Sequence, residues 1–122
     1  MLKRIESGEE LNIASDQYGC PTSANELAKF IYYLIGTNEY GTYHATCQGH
    51  CSRYEFAKRV LALSRKDIRL NAVPTPEAEI SSVRPAYAVL DNFILTIMDS
   101  YEMPTWESAL EAYMESYREE VK

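Results

Sequence analysis

Two helix-start patterns are the feature of this sequence that most restricts its fold. Ser23 with Glu26, and Ser52 with Glu55, follow the Ser-x-x-Glu pattern of a capping box, in which the two residues bond each other's free backbone amides. The first box precedes a run at helical spacing that ends at Gly36, namely Leu27, Phe30, Ile31, Leu34 and Ile35. The second box predicts a helix that continues to about Ser64.

Segments rich in strand-forming residues alternate with these helices. We predict strands over residues 11–15 (LNIAS), 41–47 (GTYHATC) and 68–74 (IRLNAVP). The residues before Gly8 are predicted to be the tail of a helix that stops at this glycine. Further helices are predicted near Asp91 and from Pro104 onward, the last with an apolar face of Trp106, Leu110, Tyr113, Met114 and Tyr117. The pattern predicts a small α/β fold, with a few-stranded sheet and three to four helices.

Size and charge restrict the function classes. A chain of 122 residues suits a single domain, predicted over residues 1–122. A net charge of −6 argues against nucleic acid or an anionic membrane as a partner, and no apolar run is long enough to cross a bilayer. Three cysteines, an odd number, favour a reducing compartment, so we expect a cytoplasmic protein.

Tyr54 and Lys58 have the Tyr-x-x-x-Lys spacing of short-chain dehydrogenases. On a helix whose buried face is Phe56, Ala57, Val60, Leu61 and Leu63, however, Lys58 points to solvent. The glycines also form no dinucleotide-binding pattern. We therefore predict an exposed helical pair and no catalytic residue in this chain.

His44, Cys47, His50 and Cys51 are the one cluster with metal-ligand chemistry. Zinc sites usually take two pairs of ligands from separate segments, which this cluster does not provide. A strand histidine with small, partly buried thiols is the simpler interpretation, and we predict no metal site.

Several motifs in order carry a family resemblance. They are DQYGCPTSANELAKFI from residue 16, GTYHATCQGHCSRYEFAKRV from residue 41, RLNAVPT from residue 69, and RPAYAVLDN followed by MPTWESALEAYM from residue 84. Over about residues 11–115 the chain resembles dTDP-4-dehydrorhamnose reductases, which are extended short-chain dehydrogenases/reductases. It resembles only the C-terminal, substrate-binding part of these Rossmann-type enzymes. Residues 1–10, which contain the helix stop at Gly8, are predicted to be the remnant of a preceding helix. The resemblance implies that the N-terminal cofactor-binding domain is absent.

The resemblance implies a function as well. The chain would be the dTDP-sugar-binding portion of an NAD(P)H-dependent reductase in dTDP-L-rhamnose biosynthesis, without cofactor and inactive by itself. NAD(P)H would bind the missing N-terminal Rossmann half. The alternative is a self-standing, non-catalytic module for nucleotide-sugar binding or dimerisation. Apolar surface left uncovered predicts self-association into a homo-oligomer.

The matching positions suggest substrate-binding residues. Arg84 corresponds to an arginine that reaches the substrate diphosphate in related nucleotide-sugar enzymes, although an arginine here can also bridge loop carbonyls or a surface carboxylate. In the family, the loop that contains Asp16, Gln17 and Thr22 lies at the seam between the two halves of the enzyme, so these residues are expected to help shape the sugar pocket. Asp, Gly and Pro also suit any tight turn. Arg53 stands where the family usually has an aromatic residue, and Asn92 is interpreted as a helix-start residue.

Overall fold

The computed structural model describes residues 1–77 and 85–120, which form five α-helices and two small sheets. In chain order the elements are α1 (Leu2–Glu6), β1 (Leu11–Ala14), β2 (Tyr18–Gly19), α2 (Ala24–Ile35), β3 (Cys51–Ser52), α3 (Arg53–Ser64), β4 (Leu70–Val73), a 3-10 turn (Thr75–Glu77), β5 (Tyr87–Ala88), α4 (Phe93–Met98) and α5 (Trp106–Glu120). The small α/β fold is confirmed, but the described residues form five helices and two sheets where three to four helices and one sheet were predicted.

The chain divides into two compact units. The first takes its residues from Met1–Gly19 and His50–Ala88, and the second from Cys20–Gly49 and the segment that begins at Val89. The single domain over residues 1–122 stays a prediction.

The first unit holds both sheets. β1 and β4 pair in parallel, from Leu11 opposite Leu70 to Ala14 opposite Val73. In the other sheet β2 is the central strand, antiparallel to β3 and parallel to β5. The predicted strands at residues 11–15 and 68–74 are therefore confirmed, whereas β2, β3 and β5 were not predicted, because strands of two residues show no periodicity.

Helix α3 packs against β1 and β4 and forms the core of the first unit with them. Ala57 and Val60 are buried, as are Leu11 and Ala14 of β1. Phe56, Leu61 and Leu63, which were also assigned to the buried face of α3, are half-buried. The predicted stop of α1 is confirmed: Gly8 adopts φ +77°, a conformation that glycine tolerates best.

Both halves of the second capping box form. The Glu55 amide donates to Ser52 Oγ over 3.1 Å, and the Ser52 amide donates to Glu55 Oε2 over 2.7 Å. The backbone hydrogen bond from Ser52, followed by the side-chain bond with the same residue, lowers the pKa of Glu55 below its ordinary 4.5. At the first box only Ser23 Oγ accepts from the Glu26 amide, because the Glu26 carboxylate instead pairs with Lys29 over 2.6 Å.

The stability that Glu55 contributes should depend on pH with a defined sign. The pKa of Glu55 is lower in the folded chain than in the unfolded chain. Its contribution to stability is therefore present above the pKa of the unfolded state and is lost as pH falls through the pKa of the folded state. In urea unfolding, Ser52→Ala should cost about 1 kcal/mol near neutral pH. Glu55→Gln should also destabilise there, and its deficit relative to the wild type should shrink in acid. The control is Glu115→Gln, at an exposed position of α5. A Glu55→Gln deficit that stays constant with pH would contradict the capping role.

The second unit consists of α2, α4, α5 and the irregular segment that precedes β3. Its buried residues are Phe30, Cys47, Leu95, Met103, Trp106, Ala109, Leu110 and Met114. Phe30 contacts Tyr43 and Tyr101 edge-on, with ring centroids 6.1 and 5.3 Å apart. Gln48 bridges to the start of α5: its amide donates to Pro104 O, and its carbonyl accepts from the Trp106 amide.

The predicted strand over residues 41–47 is wrong. No strand forms there in the described chain; a single bridge at Gln48 follows the segment. The side chain of Asn92 satisfies the backbone of Thr46: Oδ1 accepts from the Thr46 amide over 2.9 Å, and Nδ2 donates to the Thr46 carbonyl over 2.6 Å. Asn92 precedes α4, but its side chain makes no capping bond, so its expected helix-start role holds for position only.

The apolar faces of α2 and α5 are partly exposed. Ile31, Tyr32 and Ile35 of α2 are 50%, 79% and 74% exposed. Tyr113, predicted on the buried face of α5, is 49% exposed and stacks on Tyr117 instead. Among the described residues, no helix is long and apolar enough to cross a membrane.

Candidate functional site

The turn after β1 carries Asp16, whose carboxylate holds the beginning of the 3-10 turn. Oδ2 accepts from the Thr75 amide over 3.1 Å, and Oδ1 accepts from the Thr75 hydroxyl. The hydroxyl bond, followed by the amide bond, lowers the pKa of Asp16, so the group is a carboxylate at neutral pH. Asp16 is exposed, and a carboxylate has room for further donors.

Gln17 is 4% exposed and links this turn to α3. Its carbonyl accepts from the Arg53 amide over 3.0 Å, and its Oε1 accepts from Arg53 Nη1 over 3.3 Å. The guanidinium of Arg53 thus has a defined contact at the position where the family resemblance led us to expect an aromatic ring. The contacts of Gln17 are those of a residue that shapes the loop.

Thr22 lies in the second unit, where its hydroxyl joins two backbone segments. It donates to Cys20 O over 3.0 Å and accepts from the Cys47 amide over 3.2 Å. Asp16 and Gln17 belong to the first unit. The fourth predicted contact, Arg84, lies outside the described residues.

Two tyrosines that the sequence analysis did not single out face each other in the first unit. Tyr18 of β2 stands directly opposite Tyr87 of β5, and the Tyr18 amide donates to Ala86 O over 2.8 Å. Their ring centroids are 6.5 Å apart, with ring planes at 40°. The rings are 40% and 66% exposed. The sequence feature that could have indicated them is a tyrosine in each of two family motifs, DQYGCPTSANELAKFI and RPAYAVLDN.

Tyr54 and Lys58 both lie on α3, and the prediction that the pair is exposed is confirmed for Lys58 but not for Tyr54. Lys58 is exposed on the helix surface, whereas Tyr54 is half-buried. An exposed lysine is poorly placed for a site from which water must be excluded.

The cysteine–histidine cluster provides no metal geometry in the described chain. Residues 1–77 and 85–120 contain no group of three or more His, Cys, Asp or Glu side chains arranged to hold a metal ion. Cys47 and Cys51 are buried, and the three cysteines form no disulfide.

The second unit contains an open cleft of about 700 Å³ beside α4. Asp91, Asp99 and Glu102 line it together with neutral residues, and its described lining has no Lys, Arg or His. Three carboxylates without a cation oppose an anionic diphosphate, so the cleft is a poor place for the phosphate end of a nucleotide.

Residues 1–119 match the model of the family described as RmlD substrate binding domain. The chain belongs to this family. Spore coat polysaccharide biosynthesis protein SpsK of Bacillus subtilis (strain 168) is 35% identical to it over 116 residues, which are 94% of this chain and 40% of SpsK. The dTDP-4-dehydrorhamnose reductase of Escherichia coli (strain K12) is 31% identical over 116 residues, covering 81% of this chain and 39% of the relative.

Solved structures agree with this membership. A dTDP-4-dehydrorhamnose reductase from Clostridium acetobutylicum superposes with a TM-score of 0.89 at 32% identity, covering 96% of this chain and 42% of that one. The corresponding enzyme from Bacillus anthracis, solved in complex with NADP, gives 0.88 at 32% identity, covering 94% and 41%. This chain thus spans about 40% of the length of these relatives. Its resemblance to dTDP-4-dehydrorhamnose reductases is confirmed.

Proposed function

We propose that this chain is the dTDP-sugar-binding portion of an NAD(P)H-dependent dTDP-4-dehydrorhamnose reductase that acts in dTDP-L-rhamnose biosynthesis. The observation that carries the proposal is the match of residues 1–119 to a substrate binding domain. Relatives of E. coli and C. acetobutylicum that bear the reductase name support the choice of substrate.

The proposal assigns binding to this chain and hydride transfer to another part of the enzyme. NAD(P)H would be held by a cofactor-binding Rossmann part outside these 122 residues, as the chain spans about 40% of its relatives. Lys58, exposed on α3, supports the assignment of the acid–base chemistry elsewhere. The chain by itself would therefore bind no cofactor and catalyse no reduction.

Charge separates the roles of the proposed substrate-binding residues. Arg84 would bind the diphosphate, because a guanidinium offers paired donors to phosphate oxygens. Asp16 is anionic and repels phosphate, so its free acceptor positions suit hydroxyl groups of the sugar nucleotide. Gln17 and Thr22, whose polar groups bond the protein itself, would shape the loop around the ligand.

Binding of dTDP tests the proposal. We expect dTDP to perturb the NMR spectrum of the purified chain, and Arg84→Ala to raise its Kd about tenfold or more, because a charged hydrogen-bond donor is lost. Arg84→Lys should lie between the two, since it keeps the charge without the paired donors. Wild-type chain that does not respond to dTDP would overturn the proposal.

The same chain, mixed with NADPH and dTDP-4-dehydrorhamnose, should show no NADPH oxidation. Turnover would overturn the assignment of catalysis to another part of the enzyme.

The alternative is a self-standing, non-catalytic module that binds nucleotide sugars or dimerises. The exposed Ile31, Tyr32 and Ile35 on α2 favour self-association in either case. Sedimentation velocity at increasing protein concentrations tests for self-association, and a constant monomer mass would rule self-association out. We further propose a cytoplasmic location, from the odd number of cysteines. The acidic charge of the chain supports the absence of nucleic acid and membrane as partners.

A further inference from the structure

We infer that Tyr18 and Tyr87 form an aromatic surface that binds the thymine base of the nucleotide sugar. This inference rests on the proposed function. It assigns a binding surface to the base, which the polar residues proposed to bind the diphosphate and the sugar do not provide.

The backbone fixes both rings on one side of the sheet. Tyr18 and Tyr87 are directly paired residues of the parallel strands β2 and β5, and the side chains of paired residues leave a sheet on the same face. β2 is the central strand, bonded on its other side to β3, so its position is held from both edges. The rings are therefore presented by a hydrogen-bonded frame.

The ring positions suit a planar ligand. With centroids 6.5 Å apart and planes inclined by 40°, the two rings contact each other at an angle, and each leaves a large part of its surface to solvent. Every nucleobase has a flat π-face that stacks on aromatic side chains. Exposed fractions of 40% and 66% leave room for such a base on this surface.

Neighbouring residues favour the base over the diphosphate as the occupant. Asp16, two residues before Tyr18, is an exposed carboxylate and repels phosphate. An uncharged base beside Tyr18 therefore agrees with the carboxylate two positions before it in the sequence.

The test compares ring-removing and ring-preserving substitutions in dTDP titrations of the chain. Tyr18→Leu and Tyr87→Leu should each weaken dTDP binding about tenfold, whereas Tyr18→Phe and Tyr87→Phe, which keep the stacking face, should change it less than about threefold. Tyr40→Leu, at a tyrosine of the second unit that is 90% exposed, is the matched control and should have no effect. Thymidine should lose affinity in the Leu variants as dTDP does, and inorganic pyrophosphate should not.

Salt separates stacking from charge. For the Tyr18→Leu and Tyr87→Leu variants, the ratio of variant to wild-type Kd should stay constant as ionic strength rises, because salt does not screen stacking. For Arg84→Ala the same ratio should shrink, because salt screens the lost charge interaction. Unchanged dTDP binding by the Leu variants would overturn the inference and leave the proposed function standing. Equal loss of pyrophosphate binding would also overturn it, since the rings would then act on the phosphate end. A wild-type chain that does not bind dTDP at all would overturn both.

Discussion

Gly49→Ala should destabilise the second unit by about 2–4 kcal/mol, because two costs coincide at this residue. Gly49 adopts φ +82°, where a side chain strains the backbone by about 1–2 kcal/mol. A Cβ there would also lie 3.2 Å from Cδ1 and 3.4 Å from Nε1 of Trp106. That ring is 8% exposed, and the Trp106 amide is bonded to the carbonyl of Gln48, so the ring has little room to move away.

Urea unfolding followed by tryptophan fluorescence measures this effect, since Trp106 is the single tryptophan of the sequence. Gly8→Ala is the conformational control: Gly8 has φ +77°, but a Cβ would meet nothing within 4 Å. Gly41→Ala is the control within the same unit: its φ of +146° also strains a side chain, but its Cβ would make only an ordinary contact of 3.9 Å with Tyr43. If all three substitutions cost the same free energy of unfolding, crowding against Trp106 is absent.

Asn92→Ala should cost about 2–3 kcal/mol, because it leaves both backbone groups of Thr46 without their partner. Asn92 Oδ1 also accepts from the Thr46 hydroxyl over 3.2 Å, so one side chain makes three hydrogen bonds to a residue 46 positions away. Among residues 1–77 and 85–120, no strand pairs with the segment before β3 at this point to replace them. We expect a lower free energy of unfolding and faster exchange of the Thr46 amide hydrogen with solvent.

Asp91→Ala is the matched control for Asn92→Ala. Asp91 is the exposed preceding residue, and its substitution should change stability by less than about 0.5 kcal/mol. Thr46 amide exchange that is as slow in Asn92→Ala as in the wild type would show that the hydrogen bonds do not hold this segment.

Local chemistry explains what the sequence predicted correctly. The Ser52–Glu55 box and the stop at Gly8 depend on residues within one turn of each other, so the pattern contains the needed information. The strands β1 and β4 are long enough to show strand-forming composition. The same locality explains why α3 was predicted close to its observed bounds.

Partners far away in the sequence explain what was missed. Residues 41–47 have strand-forming side chains, but a strand needs a neighbouring strand, and here Asn92 supplies the hydrogen bonds instead. The Tyr18–Tyr87 pair joins residues 69 positions apart through strands too short for any periodic signal. Of the predicted contacts, Asp16 and Gln17 are placed in one unit and Thr22 in the other, which no local pattern could indicate.

The two units are interleaved along the chain, and this affects how they can be separated. The backbone passes from one unit to the other after Gly19, Gly49 and Ala88, so neither unit is one uninterrupted stretch of sequence. No single cut therefore releases an intact half, and each unit forms only when distant segments meet. Pairings such as β1 with β4 give the fold a high contact order, for which slow folding is expected. To isolate either unit, an engineer would have to rejoin its two segments with a new linker.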